Sequence, residues 1–362
     1  MNSKGKNGGW KKLLLPVALV IIIKAFSFSP SLVEEWYSLK LYPAIAVSLR
    51  WLTGSLPFSF GDLLYAVAVI WILVRIYKTI KVVIKRKVTK VTFIHSFRKT
   101  VVIVLWVYIL FNFLWGMNYN RLGIAYQLKL EPTQYSTAEL KILTGLLIEK
   151  TNTTRQHLGD SSFTYPKSNA IFASAKEAYD SAEKKYPFLH YTVLSVKSSL
   201  YGKFGNYAGF LGYYNPFSGE AQVNTTVPRF LIPYTTCHEI GHQIGYGTED
   251  EANFSGYLAA KSSKENTFKY SVYFDLFLYA NSELYSRDSI SAKQNYKSLD
   301  TLVRKDLMTY KQFLDAHRNP VEPYITMLYG KYLQANNQPN GMETYDEVIG
   351  WLIAYQKKYG EL

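Results

Sequence analysis

The sequence predicts an α+β chain in two parts: three transmembrane helices, then a mostly α-helical domain with a small β-sheet. Three observations carry that expectation. The first 100 residues hold 16 Lys or Arg against 3 Asp or Glu, whereas residues 101–362 hold 25 against 24, so the formal charge of +14 is almost wholly N-terminal. Three apolar stretches lie beside those basic residues. Beyond them the pattern is helical, interrupted once by a β-branched run and a Gly- and Tyr-rich segment.

Lys4, Lys6, Lys11 and Lys12 precede an apolar run from Leu13 to Ile23, which predicts a first span at about residues 12–30 with Lys24 snorkelling outward. No Ala-x-Ala site follows, which argues against a cleaved signal peptide. A second span is expected at about 61–77, edged by Asp62 and Arg75. The loop after it is strongly basic: Lys78, Lys81, Lys85, Arg86, Lys87, Lys90, Arg98 and Lys99. The third span, about 101–117, is bounded by the interfacial aromatics Trp115 and Tyr119. The first loop holds only Lys40 and Arg50 beside Glu34 and Glu35, so the positive-inside rule puts the N-terminus in the cytoplasm and everything after the third span outside. Residues 1–117 are thus the membrane region, and 118–362 the outer domain. Because the outer domain is nearly neutral, no nucleic-acid partner is expected.

After a linker over 118–134, Ser136-Thr137-Ala138-Glu139 reads as a capping box opening a helix to about residue 157. A second helix is expected over 169–185, stopped by Pro187. Tyr191–Val196 reads as a strand and residues 202–214 as turns or a hairpin.

The chemistry concentrates in Cys237-His238-Glu239-Ile240-Gly241-His242 and the segment downstream to Asn253. Two histidines four apart on a helix project from one face, where both imidazoles can hold one tetrahedral metal ion. Glu239 is then the general base of a metal-dependent hydrolase. A third protein ligand is needed, and the turn Gly245-Tyr246-Gly247 can double the chain back to supply it. Thr248 is read as the cap of a second helix with Glu251 as its capping-box partner, which leaves Glu249 free to reach the metal. Glu249 is therefore the expected third ligand and Glu251 the alternative. Asn253, one turn on, would orient a ligand imidazole or carboxylate. Gly241 is tolerable in the helix if close packing needs its missing side chain.

The run His238-Glu239-x-x-His242 with downstream Glu249-x-x-Ala252-Asn253 resembles the gluzincin metallopeptidases, whose third ligand is a glutamate in such a helix. The asparagine form is similar to the antirepressor-cleaving peptidases, while thermolysin-like enzymes carry aspartate there. The link between His242 and Glu249 is shorter than in either. Over nearly its whole length the chain resembles an uncharacterised, Bacteroidetes-type bacterial family of membrane-anchored, zinc-peptidase-like proteins of unknown function. Pro57-Phe58-Ser59-Phe60-Gly61-Asp62, Tyr214 through Asn224 and the metal motif carry that likeness. It implies a zincin-like domain, one Zn²⁺ per chain, and a multi-pass protein of the bacterial cytoplasmic (inner) membrane with an extracytoplasmic, periplasmic site. Zincin-type folds place an edge strand just upstream of the metal helix, so residues 219–225 are expected there, open to pairing with an extended peptide.

After Glu249 a helix should run to about Ala260, with further helices over 268–285, 300–317 and 345–359. Cys237 is the single cysteine, so no disulfide forms within the chain, and a buried packing role is expected. His95, His157, His190 and His317 stand alone. Tyr270 or Tyr273 is a candidate to hydrogen-bond a tetrahedral oxyanion, among 31 tyrosines. The expected function is hydrolysis of peptide or protein substrates at the membrane's outer side by a zinc-activated water, with Glu239 as base. The alternative is an inactive zinc-containing membrane sensor or binding domain, in which a fourth protein ligand replaces the water.

Overall fold

Three short strands sit beside the metal-motif helix: β1 (Val196–Ser198), β2 (Gly212–Asn215) and β3 (Glu220–Val223). These come from a computed structural model, which describes residues 8–85, 89–131, 134–160, 162–339, 341 and 344–362. The expected flanking bases Lys4, Lys6, Arg86 and Lys87 lie outside the described residues. The sheet order is β1-β3-β2, with β3 parallel to β1 (Val196 opposite Ala221) and antiparallel to β2 (Tyr214 opposite Ala221). All four β3 residues are buried. Residues 219–225 are therefore the central strand and not an edge; the edges are β1 and β2. The strand expected over 191–196 forms only from Val196, and the 202–214 segment is a short helix (Gly202–Ala208) followed by β2.

Two polar side chains sit in that central strand because a helix start satisfies them. Glu220 accepts hydrogen bonds from the Phe60 and Gly61 N–H groups, and the Gln222 amide lies 3.0 Å from Ser59 Oγ. These groups open the helix Phe60–Ile84, whose unpaired N–H groups favour a carboxylate. Asp62 in turn accepts from the Leu200 N–H (2.7 Å) and the Tyr213 hydroxyl. A Cβ on Gly61 would come within 2.6 Å of the Asn215 and Gln222 amides, so a side chain there would push against these polar groups. The stretches Pro57–Asp62 and Tyr214–Asn224 thus lock a helix to the sheet.

That lock also revises the membrane region. Among the described residues one helix, Lys90–Leu114, is long and apolar enough to cross a bilayer, and the pair Lys11–Ser27 and Pro30–Gly54, bent by 98°, is a second candidate only if it acts as one span. The expected three-helix transmembrane region followed by a zincin-like domain is not what the chain forms. The expected first span ends where Ser29 turns extended ahead of Pro30, and a π-helical segment, Val33–Leu41, follows. The expected second begins inside the sheet contact, and Arg75, Lys78 and Lys81 charge the far half of the helix Phe60–Ile84 that contains it. The third is shifted: the helix starts at Lys90 and gives way after Leu114 to the tight turn Gly116–Asn120. Gly8–Ser27 packs on Lys90–Leu114. Phe93, Val104 and Leu110 of the latter are exposed, a surface suited to lipid.

The core of the helical part is a stack around Glu249–Ser262, which packs on Ile232–Gln243, Ser168–Glu183 and Thr344–Tyr359. Asn266–Arg287 lies along Thr137–His157, whose start is the expected capping box, with Ser136 Oγ accepting from the Glu139 N–H and Glu139 from the Ser136 N–H. Helices near the expected 268–285, 300–317 and 345–359 are present, together with Ser289–Ser298 and Glu322–Ala335.

Candidate metal centre

The motif helix Ile232–Gln243 begins with Pro233, whose missing N–H is no loss in a first turn. Cys237 and Ile240 are fully buried on one side, and burial pushes the Cys237 thiol up, so it acts as packing and not as a thiolate. The neighbouring helix Glu249–Ser262 approaches closely at two glycines. A Cβ on Gly241 would stand 2.3 Å from Ser255 Oγ, and one on Gly256 would stand 2.9 Å from the His238 nitrogen. This is the close packing for which Gly241 gives up helix propensity.

The turn between the helices is fixed from outside. Gly245 takes φ +96°, and the Tyr246 N–H reaches back to the Gly241 carbonyl at 3.1 Å. The freed carbonyls at the helix end accept from Trp115 Nε1 (His242, 2.9 Å) and from Tyr42 and Arg50 (Gln243, 2.8 and 3.0 Å). Thr248 then precedes a helix whose first residue is Glu249, without a side-chain cap bond.

This geometry brings His238, His242 and Glu249 together. His238 Nδ1 faces Asn253 Oδ1 at 2.8 Å, and His242 Nδ1 faces the Tyr246 carbonyl at 2.8 Å. A carbonyl only accepts, so His242 Nδ1 carries a proton, and Nε2 is the atom left for a metal ion. Both Nε2 atoms converge on Glu249 Oε2, at 3.3 and 3.7 Å. Glu249 Oε1 accepts from the Tyr329 hydroxyl at 2.6 Å. His238, Glu239 and His242 place one ligand atom each within 4.8 Å of one another. Burial alone would raise the Glu249 carboxyl, but the two imidazoles hold it well below the usual carboxylate range. Burial opposes the charged form of His242, yet Glu249 lifts it to about 9. Burial pushes Glu239 up to about 7 against the pull of the histidines.

The donors fit zinc by a test internal to the structure. Glu239 Oε2 and Glu249 Oε2 are buried acceptors without a hydrogen-bond partner among the described residues, while each imidazole spends Nδ1 elsewhere. Two imidazoles, each giving up its Nε2 proton when a metal binds, and a carboxylate beside a further acid would make a donor set suited to a tetrahedral zinc ion.

A family model described as "Protein of unknown function (DUF3810)" matches residues 37–353. The chain belongs to the DUF3810 family. That family description assigns no activity, so the expected membership of a family of unknown function holds without the peptidase character. No curated protein and no solved structure matches the chain.

The DUF3810 site opens on a cavity of about 670 Å³ whose wall includes His238, Glu239 and Asn253. Tyr65, Tyr213, Tyr234, Tyr279, Tyr310 and Tyr329 are among the aromatic residues that line it. The segment Gly209–Tyr213, leading into the edge strand β2, forms one side, and a Cβ on Gly212 would meet Glu239 Oε1 at 2.5 Å. Other expected residues lie elsewhere. Glu251 accepts from the Ile124 N–H at 3.1 Å and fills the space that a side chain on Gly123 would need, so it neither closes a capping box nor joins the histidines. Tyr270 donates to Asp306 at 2.7 Å, and Tyr273 points to the Leu362 carbonyl at 3.4 Å; neither lines the cavity. Tyr329 and Trp115 have roles here that no local pattern announces: they arrive from distant helices, and their neighbours in sequence are ordinary.

Proposed function

We propose that this DUF3810 protein is a membrane-anchored, zinc-dependent metallopeptidase, with His238, His242 and Glu249 as metal ligands and Glu239 as general base. The single observation that carries the reading is the convergence of both Nε2 atoms on the one unbonded Glu249 oxygen, in a site whose His238 and Glu239 line the cavity. Zinc bound there would supply Lewis acidity toward a carbonyl oxygen and acidify a water to a pKa of about 7.

The chain's own residues divide the remaining work. Asn253 and the Tyr246 carbonyl fix the ring planes and tautomers of the two histidines, and Tyr329 holds Glu249 so that Oε2 faces them. Glu239, buried and without a hydrogen bond at Oε2, takes the proton of an attacking water and returns it to the leaving amine. Its raised affinity for a proton suits both halves of that transfer. The edge strand β2 pairs on one side only, so an extended peptide can add along it, the role first assigned to residues 219–225.

The anchor is Lys90–Leu114, whose C-terminal end meets the site through Trp115 and whose N-terminal end follows the basic residues from Lys78 onward. The test is Glu239→Gln in the full chain, assayed against a peptide library. Retained metal with hydrolysis lost is the expected result; continued hydrolysis, or loss of metal with the substitution, would show that Glu239 has another role.

A further inference from the structure

The cavity wall contains an acid that the proposed chemistry leaves idle. Asp275 lies on helix Asn266–Arg287, one turn before Tyr279, and both line the cavity. Tyr234, Tyr310 and His238 are its electrostatic neighbours. Among the described residues no hydrogen bond or ion pair reaches its carboxylate, and the residue is only partly accessible. Among the described residues no Lys or Arg lines the cavity, although the chain carries 41 of them. A carboxylate that faces a cavity without a partner is costly to hold charged away from bulk water. A cation entering the cavity would remove that cost.

We infer that Asp275 is the specificity residue of this site and receives the ammonium or guanidinium group of a peptide substrate. Resting on the peptidase reading, it narrows the substrate class to peptides carrying a cation near the scissile bond. The tyrosines around Asp275 favour the same occupant, since aromatic faces attract cations and cover the aliphatic stem of Lys or Arg. Two sources supply that chemistry, a basic side chain and a free N-terminal amine.

The test separates binding from turnover by using full-length Glu239→Gln protein in detergent, loaded with zinc, and titrating it with three short peptides. One carries lysine with an acetylated N-terminus, one norleucine with an acetylated N-terminus, and one norleucine with a free N-terminus. A hydrogen bond to a charged group in such a site is worth roughly ten- to a hundredfold in affinity. Either the lysine peptide or the free-amine peptide should bind that much more tightly than the acetylated norleucine peptide, and the one that does identifies the source. Adding Asp275→Asn should erase the preference while leaving the acetylated norleucine peptide's affinity unchanged, and adding Asp275→Glu should keep part of it. Equal binding of all three peptides, or an equal loss for all three in Asp275→Asn, would overturn the proposal. If the preference is present while wild-type protein cleaves none of the peptides, the specificity assignment stands and the peptidase reading falls.

Discussion

Replacing Gly256 by alanine tests whether the two helices that carry the metal ligands touch as closely as described. The new Cβ would lie 2.9 Å from the His238 nitrogen, 3.1 Å from its Cα and 3.2 Å from the Cys237 carbonyl carbon. All three are backbone atoms, so no side chain can swing aside. Overpacking of this kind costs about 1–3 kcal/mol. Against it stands a helix-propensity gain of about 1 kcal/mol for Gly→Ala. The net expectation is a loss of roughly 1 kcal/mol, with the helices forced apart by a few tenths of an ångström. His238 moves with its helix and Glu249 with the other, so zinc affinity should fall as well. Gly145 supplies the control: it is an exposed position in helix Thr137–His157 with nothing within 4 Å of an added Cβ. Gly145→Ala should gain stability by up to about 1 kcal/mol and leave zinc binding alone. Denaturant midpoints of the two variants in the same detergent, with zinc affinity by competition with a chelator, give the comparison. Should Gly256→Ala be stabilised as much as Gly145→Ala with unchanged zinc affinity, the close approach is wrong.

Three other outcomes rest on particular contacts. Asn253→Ala removes the acceptor 2.8 Å from His238 Nδ1 and should lower zinc affinity roughly ten- to a hundredfold by chelator competition, with the fold intact by circular dichroism. Tyr270→Phe removes a hydroxyl bonded to Asp306 and outside the cavity lining, so it should cost about 1–3 kcal/mol in denaturant unfolding and leave peptide hydrolysis unchanged; a selective loss of turnover would restore Tyr270 as an oxyanion donor. Burial pushes Lys261 down from 10.5 to about 8, against the pull of Glu361. Between those values the unfolded chain holds a proton that the folded chain lacks, so this residue's contribution to stability rises with pH. The stability difference between wild type and Lys261→Met should therefore be flat below pH 8 and grow in favour of wild type up to about pH 10.5; a difference that shrinks there would reverse the assigned sign.

The features legible in the sequence were those that depend on near neighbours. The i, i+4 spacing of His238 and His242 and the turn at Gly245 sufficed to bring the histidines and Glu249 within reach of one another. Glu249 lies beside the histidines, whereas Glu251 is occupied by the Ile124 backbone, 127 positions away, and not by the cap that the sequence suggested. The place of residues 219–225 was hidden because Glu220 and Gln222 look unsuited to a buried central strand until the Phe60–Ile84 helix start is seen to satisfy them. The same contact explains the membrane error: Asp62 reads as the edge of a span, yet its carboxylate ties the helix to Leu200 and Tyr213. Tyr329 and Asp275 were beyond reach because their meaning lies in residues brought to the cavity by tertiary packing.

The zinc content of the full-length chain, purified in detergent and measured by elemental analysis, bears most directly on the centre formed by His238, His242 and Glu249. One zinc per chain is expected in wild type and in Glu251→Ala, with loss in Glu249→Ala. A wild-type chain that takes up no zinc when it is supplied, or zinc kept by Glu249→Ala and lost from Glu251→Ala, would contradict the assignment.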